Sequence, residues 1–144
     1  MKRLLTAVAL LCSLTLHAQR GEYNFDSDWH YTYEGTSHVA TLPRAFNEDY
    51  AYRVAIDNLP DDTVRYTKTF RLPRKAKGKK VFIYFEGVYN RSKVYLNGNL
   101  LGERPNGYVS FMYDLTPYLK YGNEMNDIRV EVDHTRYIDS RWYT

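Results

Sequence analysis

Three observations predict an all-β domain, a β-sandwich or jelly roll. Apolar residues recur with a period of two in several short runs. An Asn-Gly pair sits between two of those runs. After the first 18 residues no segment carries an apolar stripe at helical spacing. The 144 residues give room for one domain.

The elements follow in chain order. Val64, Tyr66, Phe70 and Leu72 share one parity and Arg65, Thr67, Thr69 and Arg71 the other, which is the pattern of a half-buried strand. Lys68 interrupts the apolar set. In Val81 to Glu86 both parities are apolar, so this run is expected to be a central strand covered on both faces. Val94 and Leu96 lead into Asn97-Gly98, and Leu100-Leu101 follow. Both residues of such a tight turn need positive φ, which Asn and Gly tolerate, so a hairpin is expected. Val109 to Tyr113 reads as a strand that ends in Asp114-Leu115-Thr116-Pro117, a turn entering a short helical piece. Ile128, Val130 and Val132 alternate with Arg129, Glu131 and Asp133, giving the cleanest strand. Residues 43–63 read as a long loop. Residues 73–80 form a connector in which five of eight side chains are cationic, as expected of a solvated loop.

The amino terminus has a different character. Lys2 and Arg3 precede an apolar run from Leu4 to Leu14, and Leu16-His17-Ala18 supplies a small residue at a cleavage point. This is the layout of a secretory signal peptide, and the run is shorter than the ~20 residues of a membrane-spanning helix. Residues 1–18 are therefore expected to be removed and the protein exported, to a periplasmic or extracellular location. Removal takes away two positive charges, lowering the formal net charge from +3 to +1. That leaves no basic surplus pointing to nucleic acid. The one cysteine, Cys12, leaves with the same segment, so residues 19–144 have no disulfide and no thiolate chemistry. They keep all 15 tyrosines, 6 phenylalanines and 2 tryptophans, residue types that suit a pleated surface.

Few patterns carry chemistry. His30, His38 and His134 are irregularly spaced and have no cysteine companions, so no metal or other cofactor is expected. There is no G-x-S-x-G elbow and no glycine-rich phosphate loop. Glu48, Asp49, Asp61, Asp62 and Glu86 could supply the paired carboxylates of glycoside hydrolysis. Most lie in polar loops, where solvated charge explains them, and none is assigned a catalytic role. Asn90-Arg91-Ser92 matches a glycosylation sequon too short to decide anything. Exposed Tyr and Trp rings could stack on sugars, although core packing also accounts for such residues.

A longer pattern runs through the chain. It comprises Asp26-Ser27-Asp28-Trp29, Leu42-Pro43, Phe46-Asn47-Glu48-Asp49, Tyr66-Thr67-Lys68-Thr69-Phe70 and Phe85-Glu86-Gly87-Val88. It continues through Val94-Tyr95-Leu96-Asn97-Gly98, Leu101-Gly102, Asn106-Gly107-Tyr108, Tyr113-Asp114-Leu115-Thr116, Val130-Glu131-Val132-Asp133 and Arg141-Trp142-Tyr143. In order and spacing this resembles the N-terminal sugar-binding domain of glycoside hydrolase family 2, the β-galactosidase, β-glucuronidase and β-mannosidase group. The resemblance covers residues 19–144 and implies a galactose-binding-domain-like jelly roll whose last strand would lie beyond Thr144. It also implies retaining hydrolysis of β-linked glycosides, with an acid/base glutamic acid and a nucleophilic glutamate in a barrel domain that these residues do not include. The expected role is that of an accessory domain of an exported, β-galactosidase-like enzyme, inactive by itself. Its partner would be a β-linked glycoside or oligosaccharide met through the barrel. The alternative is a stand-alone carbohydrate-binding module. By the same resemblance, residues 103–108 approach the sugar pocket, and Asn106 falls near a position where relatives place a sugar-contacting aspartate. Asn can donate and accept hydrogen bonds but cannot act as a general base; a simple Asn-Gly turn is the competing account. Trp142 lines the same region or packs at the domain edge.

Overall fold

The computed structural model describes residues 20–33, 35–45 and 62–135. The expected signal segment, most of the 43–63 loop and Trp142 lie outside them. Among the described residues there are eight strands: β1 (Trp29–Tyr33), β2 (Thr36–Ala40), β3 (Thr63–Phe70), β4 (Phe82–Phe85), β5 (Ser92–Leu96), β6 (Asn99–Arg104), β7 (Phe111–Asp114) and β8 (Asn126–Asp133). Among the described residues the helical content is two 3₁₀ turns, Arg74–Ala76 in the basic connector and Thr116–Tyr118 after β7. The second is the short helical piece expected there. The strands form two antiparallel layers, a wide sheet in the order β2-β1-β3-β8-β5-β6 and a narrow sheet of β4 and β7. The all-β sandwich expected from the sequence is thus the observed architecture.

The wide sheet shows how alternation becomes a core. Val64 stands opposite Val132 and Tyr66 opposite Val130, while Val130 and Ile128 face Val94 and Leu96 on the other side. Directly opposed residues share a face, so one inward surface carries Trp29, Tyr31 and Tyr33 from β1 across to Leu96 on β5. All of these are buried, and Val64, Val94, Leu96 and Ile128 are completely so. Each such side chain contributes about 1.5–3 kcal/mol on leaving water. From the narrow sheet, Ile83, Phe85, Phe111 and Tyr113 join this core, with Phe85 and Phe111 stacked at 4.9 Å. A Cβ on Gly102 would lie 2.5 Å from the Tyr113 ring. A bare backbone at that point lets the narrow sheet settle onto β6.

Several details depart from the alternation. Lys68 has the parity of the core yet ends among backbone carbonyls. Its ammonium donates to the carbonyl oxygens of Phe25 and Ser27 and sits 4.3 Å from the Phe25 ring centroid. β3 stops at Phe70 rather than Leu72 because its partner β8 begins at Asn126, opposite Phe70. Among the described residues the 81–86 run is not a central strand. β4 pairs with β7 among the described residues, and its outward residues Phe82 and Tyr84 are 49% and 60% exposed. The β1–β2 hairpin was not foreseen, although Trp29, Tyr31 and Tyr33 alternate with His30 and Thr32.

Turn chemistry follows expectation more closely. Asn97 and Gly98 have φ of 50° and 84° and close the β5–β6 hairpin. Asn97 Nδ2 also donates to the Tyr118 carbonyl (2.7 Å) and to Asn126 Oδ1 (3.0 Å), and its Oδ1 accepts from Asp127 N (3.0 Å). Asn126 is completely buried. It is satisfied by Lys120, whose N donates to Oδ1 and whose carbonyl accepts from Nδ2. After β7, Asp114 Oδ1 accepts from Thr116 N (2.9 Å), and Thr116 Oγ1 accepts from Val81 N (2.9 Å). The Lys80 ammonium, first, and Thr116 hold the Asp114 carboxyl down at about 2.

Candidate functional site

Two connections meet at one end of the sandwich. One runs from Glu86 to Arg91 between β4 and β5, the other from Pro105 to Ser110 between β6 and β7. Glycines bring them together. A Cβ on Gly107 would stand 2.6 Å from the Tyr89 side chain and 2.8 Å from the Tyr89 Cα, and one on Gly87 would stand 3.1 Å from the Gly107 carbonyl oxygen. Backbones can approach this closely only where side chains are absent. The contact sets Tyr89 beside Tyr108, with ring centroids 5.6 Å apart at 63°. Both rings are exposed, by 47% and 64%.

Asn106 lies in the second connection and faces solvent. Its Oδ1 accepts a hydrogen bond from Tyr108 N at 2.8 Å, an Asx turn that shapes the loop. The turn account is therefore realised in the geometry. The turn occupies Oδ1, while Nδ2 makes no hydrogen bond among the described residues and remains a donor for a hydroxyl. Trp142, the other sequence-predicted contact, lies outside the described residues and is not placed in this site.

The remaining candidates sort themselves by position. Glu86 is exposed at the end of β4, and Asp62 Oδ1 accepts from Thr63 N at 2.7 Å as a turn residue. Glu48, Asp49 and Asp61 lie outside the described residues. Asn90 of the sequon is 8% exposed, and its Oδ1 accepts from Arg91 N at 2.9 Å, so its amide faces inward rather than toward a modifying enzyme. His30 and His38 are exposed, and His38 stacks on Tyr31 at 4.9 Å. His134 follows β8, where burial lowers its pKa to about 4. Among the described residues no three His, Cys, Asp or Glu side chains converge as metal ligands. What the site offers is a pair of aromatic faces and an amide donor, which suits binding a polar ring by stacking and hydrogen bonding. Reading the loops separately missed the tyrosine pair. Its signal was the two glycines, Gly87 and Gly107, flanking exposed tyrosines.

Comparison with known proteins decides what kind of sandwich this is. The profile of the glycosyl hydrolase 2 galactose-binding domain-like family matches residues 29–141. The chain belongs to that family. Among family proteins, a β-glucuronidase of Formosa agariphila is 36% identical over 138 residues, spanning 83% of this chain and 14% of the relative. A β-galactosidase of Bacteroides ovatus is 49% identical over 86 residues, 60% of this chain and 10% of the relative. A solved β-glycosidase of Bacteroides vulgatus superimposes with a TM-score of 0.69 at 38% identity, covering 86% of this chain and 19% of that one. The chain thus corresponds to less than a fifth of the length of each of these family proteins.

Proposed function

We propose that the chain is the N-terminal accessory domain of an exported, β-galactosidase-type glycoside hydrolase. It braces a catalytic barrel and contributes the Asn106 loop to the rim of the sugar site. The observation that carries this reading is the family match across both layers of the sandwich, residues 29–141. It is supported by the exposed amide and aromatic pair in the Asn106 loop. In this reading the barrel supplies both glutamates of a retaining mechanism, in which the nucleophile and the acid/base stand about 5–5.5 Å apart. Of the described carboxylates, Asp62, Asp114 and Asp133 accept from the backbone of nearby residues, and Glu103, Asp114, Glu131 and Asp133 form ion pairs. Residues 1–18 act as the export signal. The mature chain is expected to give no turnover of chromogenic β-galactosides. Hydrolysis that disappears on changing one of its own carboxylates would sink the proposal. Coding sequence continuing in frame beyond Thr144 into a barrel is the second expected result.

The exposed pair of Tyr89 and Tyr108 favours one other reading, a carbohydrate-binding module that works alone. Titration with galactosides and polysaccharide fragments separates the two. Affinity lost in Tyr108→Ala supports the module, and no binding by the intact chain supports the brace.

A further inference from the structure

Asn-Gly occurs twice in the chain, at Asn97-Gly98 and at Asn106-Gly107. Asparagine is among the thermally labile residues. Its Cγ is open to attack by the backbone nitrogen of the next residue, and a glycine there has no Cβ to block the approach. The two pairs are built in opposite ways.

At the β5–β6 turn the Asn97 carboxamide is committed at both ends. Nδ2 donates to the Tyr118 carbonyl at 2.7 Å and to Asn126 Oδ1 at 3.0 Å, and Oδ1 accepts from Asp127 N at 3.0 Å. These partners lie 21, 29 and 30 residues further along the chain, so they hold the carboxamide toward β8 and away from Gly98 N. Asn106 is exposed, and its carboxamide bends back over its own loop. Oδ1 accepts from Tyr108 N at 2.8 Å, closing a ring that contains both Cγ and Gly107 N. A hydrogen bond to Oδ1 withdraws electrons from Cγ and stabilises the negative oxygen that forms when a nucleophile adds there. Among the described residues Nδ2, the leaving group, donates no hydrogen bond, and Gly107 N, the nucleophile, donates none either.

We propose that Asn106-Gly107 is a self-modification site, at which the loop amide converts to aspartate or isoaspartate while Asn97-Gly98 is held unreactive by its fold. Gly107 N bonds to Asn106 Cγ and gives up its proton. The Cγ–Nδ2 bond breaks, and Nδ2 leaves with that proton as ammonia. Water then opens the cyclic succinimide. Cleavage of the new Cγ–N bond leaves aspartate. Cleavage of the original peptide C–N bond leaves isoaspartate, with the main chain routed through Cγ. Water is the only co-reactant, and nothing is oxidised or reduced.

The two products act differently on the site. Aspartate keeps the turn, since a carboxylate accepts from Tyr108 N more strongly, but it has no donor. Isoaspartate adds a main-chain atom next to Gly107, where even a Cβ would stand 2.6 Å from the Tyr89 side chain. The longer backbone therefore moves Tyr108 away from Tyr89. This chemistry stands without the sugar-facing reading of the loop. On that reading it exchanges a donor to hydroxyls for a group that only accepts.

The test is a time course of the full chain in mildly alkaline buffer, followed by peptide mapping with mass spectrometry. Isoaspartate is identified by labelling with isoaspartyl methyltransferase. In the folded chain Asn106 is expected to convert ~10-fold or more faster than Asn97, which must first give up three hydrogen bonds. In urea both pairs lose their fixed surroundings and should convert at the same rate. Asn106→Gln should abolish conversion at that position, because the longer side chain closes a larger ring. The isoaspartate-enriched chain should lose the ring-to-ring nuclear Overhauser effect between Tyr89 and Tyr108, which Asn106→Asp should retain. Equal rates for the two pairs in the folded chain overturn the proposal, and so does conversion of Asn106 confined to urea. Aspartate formed without isoaspartate overturns the cyclic route. An isoaspartate chain that keeps the Tyr89–Tyr108 contact overturns the coupling to the tyrosine pair.

Discussion

On the outer surface of the wide sheet, charged side chains answer one another across and along strands. Arg65 reaches Glu131 at 3.3 Å, Arg129 reaches the same carboxylate at 3.5 Å and stacks 4.2 Å from the Tyr95 ring, and Lys93 meets Glu103 at 3.3 Å. On the outer surface of the narrow sheet Phe82, Tyr84 and Met112 stand 49%, 60% and 50% exposed. Both inner surfaces are mainly apolar, with Ser92 and Asn126 as buried polar residues of the wide sheet, so the contrast lies outside the core. It teaches that the wide sheet is finished toward water, whereas the narrow sheet, two four-residue strands among the described residues, gains its place from the wide one. It is seated by its inward residues Ile83, Phe85, Phe111 and Tyr113, the Tyr113 ring lying on Gly102, while the Thr116–Val81 hydrogen bond and the Lys80–Asp114 ion pair tie its own two strands together.

The largest expected effect comes from disturbing the seat between the layers. A side chain at position 102 must displace the Tyr113 ring, which is itself held between Phe111 and the wide sheet. Gly102→Val should cost about 3 kcal/mol, the upper end for overpacking, measured by urea denaturation. Gly102→Val with Tyr113→Ala should recover part of that loss, because the clash is removed. If the single variant unfolds at the same urea concentration as the parent, the layers are not located by this contact.

How much of this was legible in the sequence depended on distance along the chain. β8 was readable because its apolar and polar residues alternate without a break from Ile128 to Asp133, although the strand itself starts two residues earlier, at the buried Asn126. β3 was readable except at Lys68, whose carbonyl partners lie more than 40 residues away. β4 was misread because a run that is apolar on both faces does not reveal whether a neighbour covers both. β1 went unseen because five residues that mix Trp and Tyr with His and Thr give a weak alternation. In the site, Asn106 was singled out through the family resemblance, on a motif within its own loop. Its neighbour Tyr89 was not, because Gly107 brings that ring across from a loop 18 positions earlier.

The second effect concerns acid. His134, at the end of the wide sheet, is held near a pKa of about 4 by burial, with Asp133 opposing and Arg91 adding to the shift. An unfolded histidine titrates near 6.5. As the pH falls from ~6.5 to ~4 the unfolded chain takes up a proton that the folded chain refuses, so stability drops over that window, by about 2 kcal/mol. His134→Gln should flatten that part of the profile. The narrow sheet answers in a lower range. Asp114 is depressed to about 2 by Lys80 and Thr116, so its contribution persists until the pH falls below ~4 and is lost as it passes through ~2. Asp114→Asn should therefore leave the 4–6.5 window unchanged. Equal slopes in the parent and His134→Gln between pH 7 and 4 would move the acid response elsewhere.

The smallest changes in stability should come from the outer surfaces themselves, yet these separate the two sheets most sharply. Glu131→Gln removes an acceptor shared by Arg65 and Arg129. Partly exposed ion pairs are worth ~0.2–1 kcal/mol each and are screened by salt. The loss should therefore be about 0.5 kcal/mol in dilute buffer and smaller in 1 M NaCl, with no change in sedimentation behaviour. Tyr84→Lys acts in the opposite way. Tyr84 already spends more than half its surface in water, so denaturation should move by less than ~0.5 kcal/mol. The substitution does place a charge within the Phe82–Tyr84–Met112 patch and on a strand whose free edge, among the described residues, can pair with another chain. Concentration-dependent association of the isolated chain should then fall, as read by sedimentation velocity. If Glu131→Gln alters association and Tyr84→Lys does not, the contrast between the two surfaces is drawn on the wrong faces.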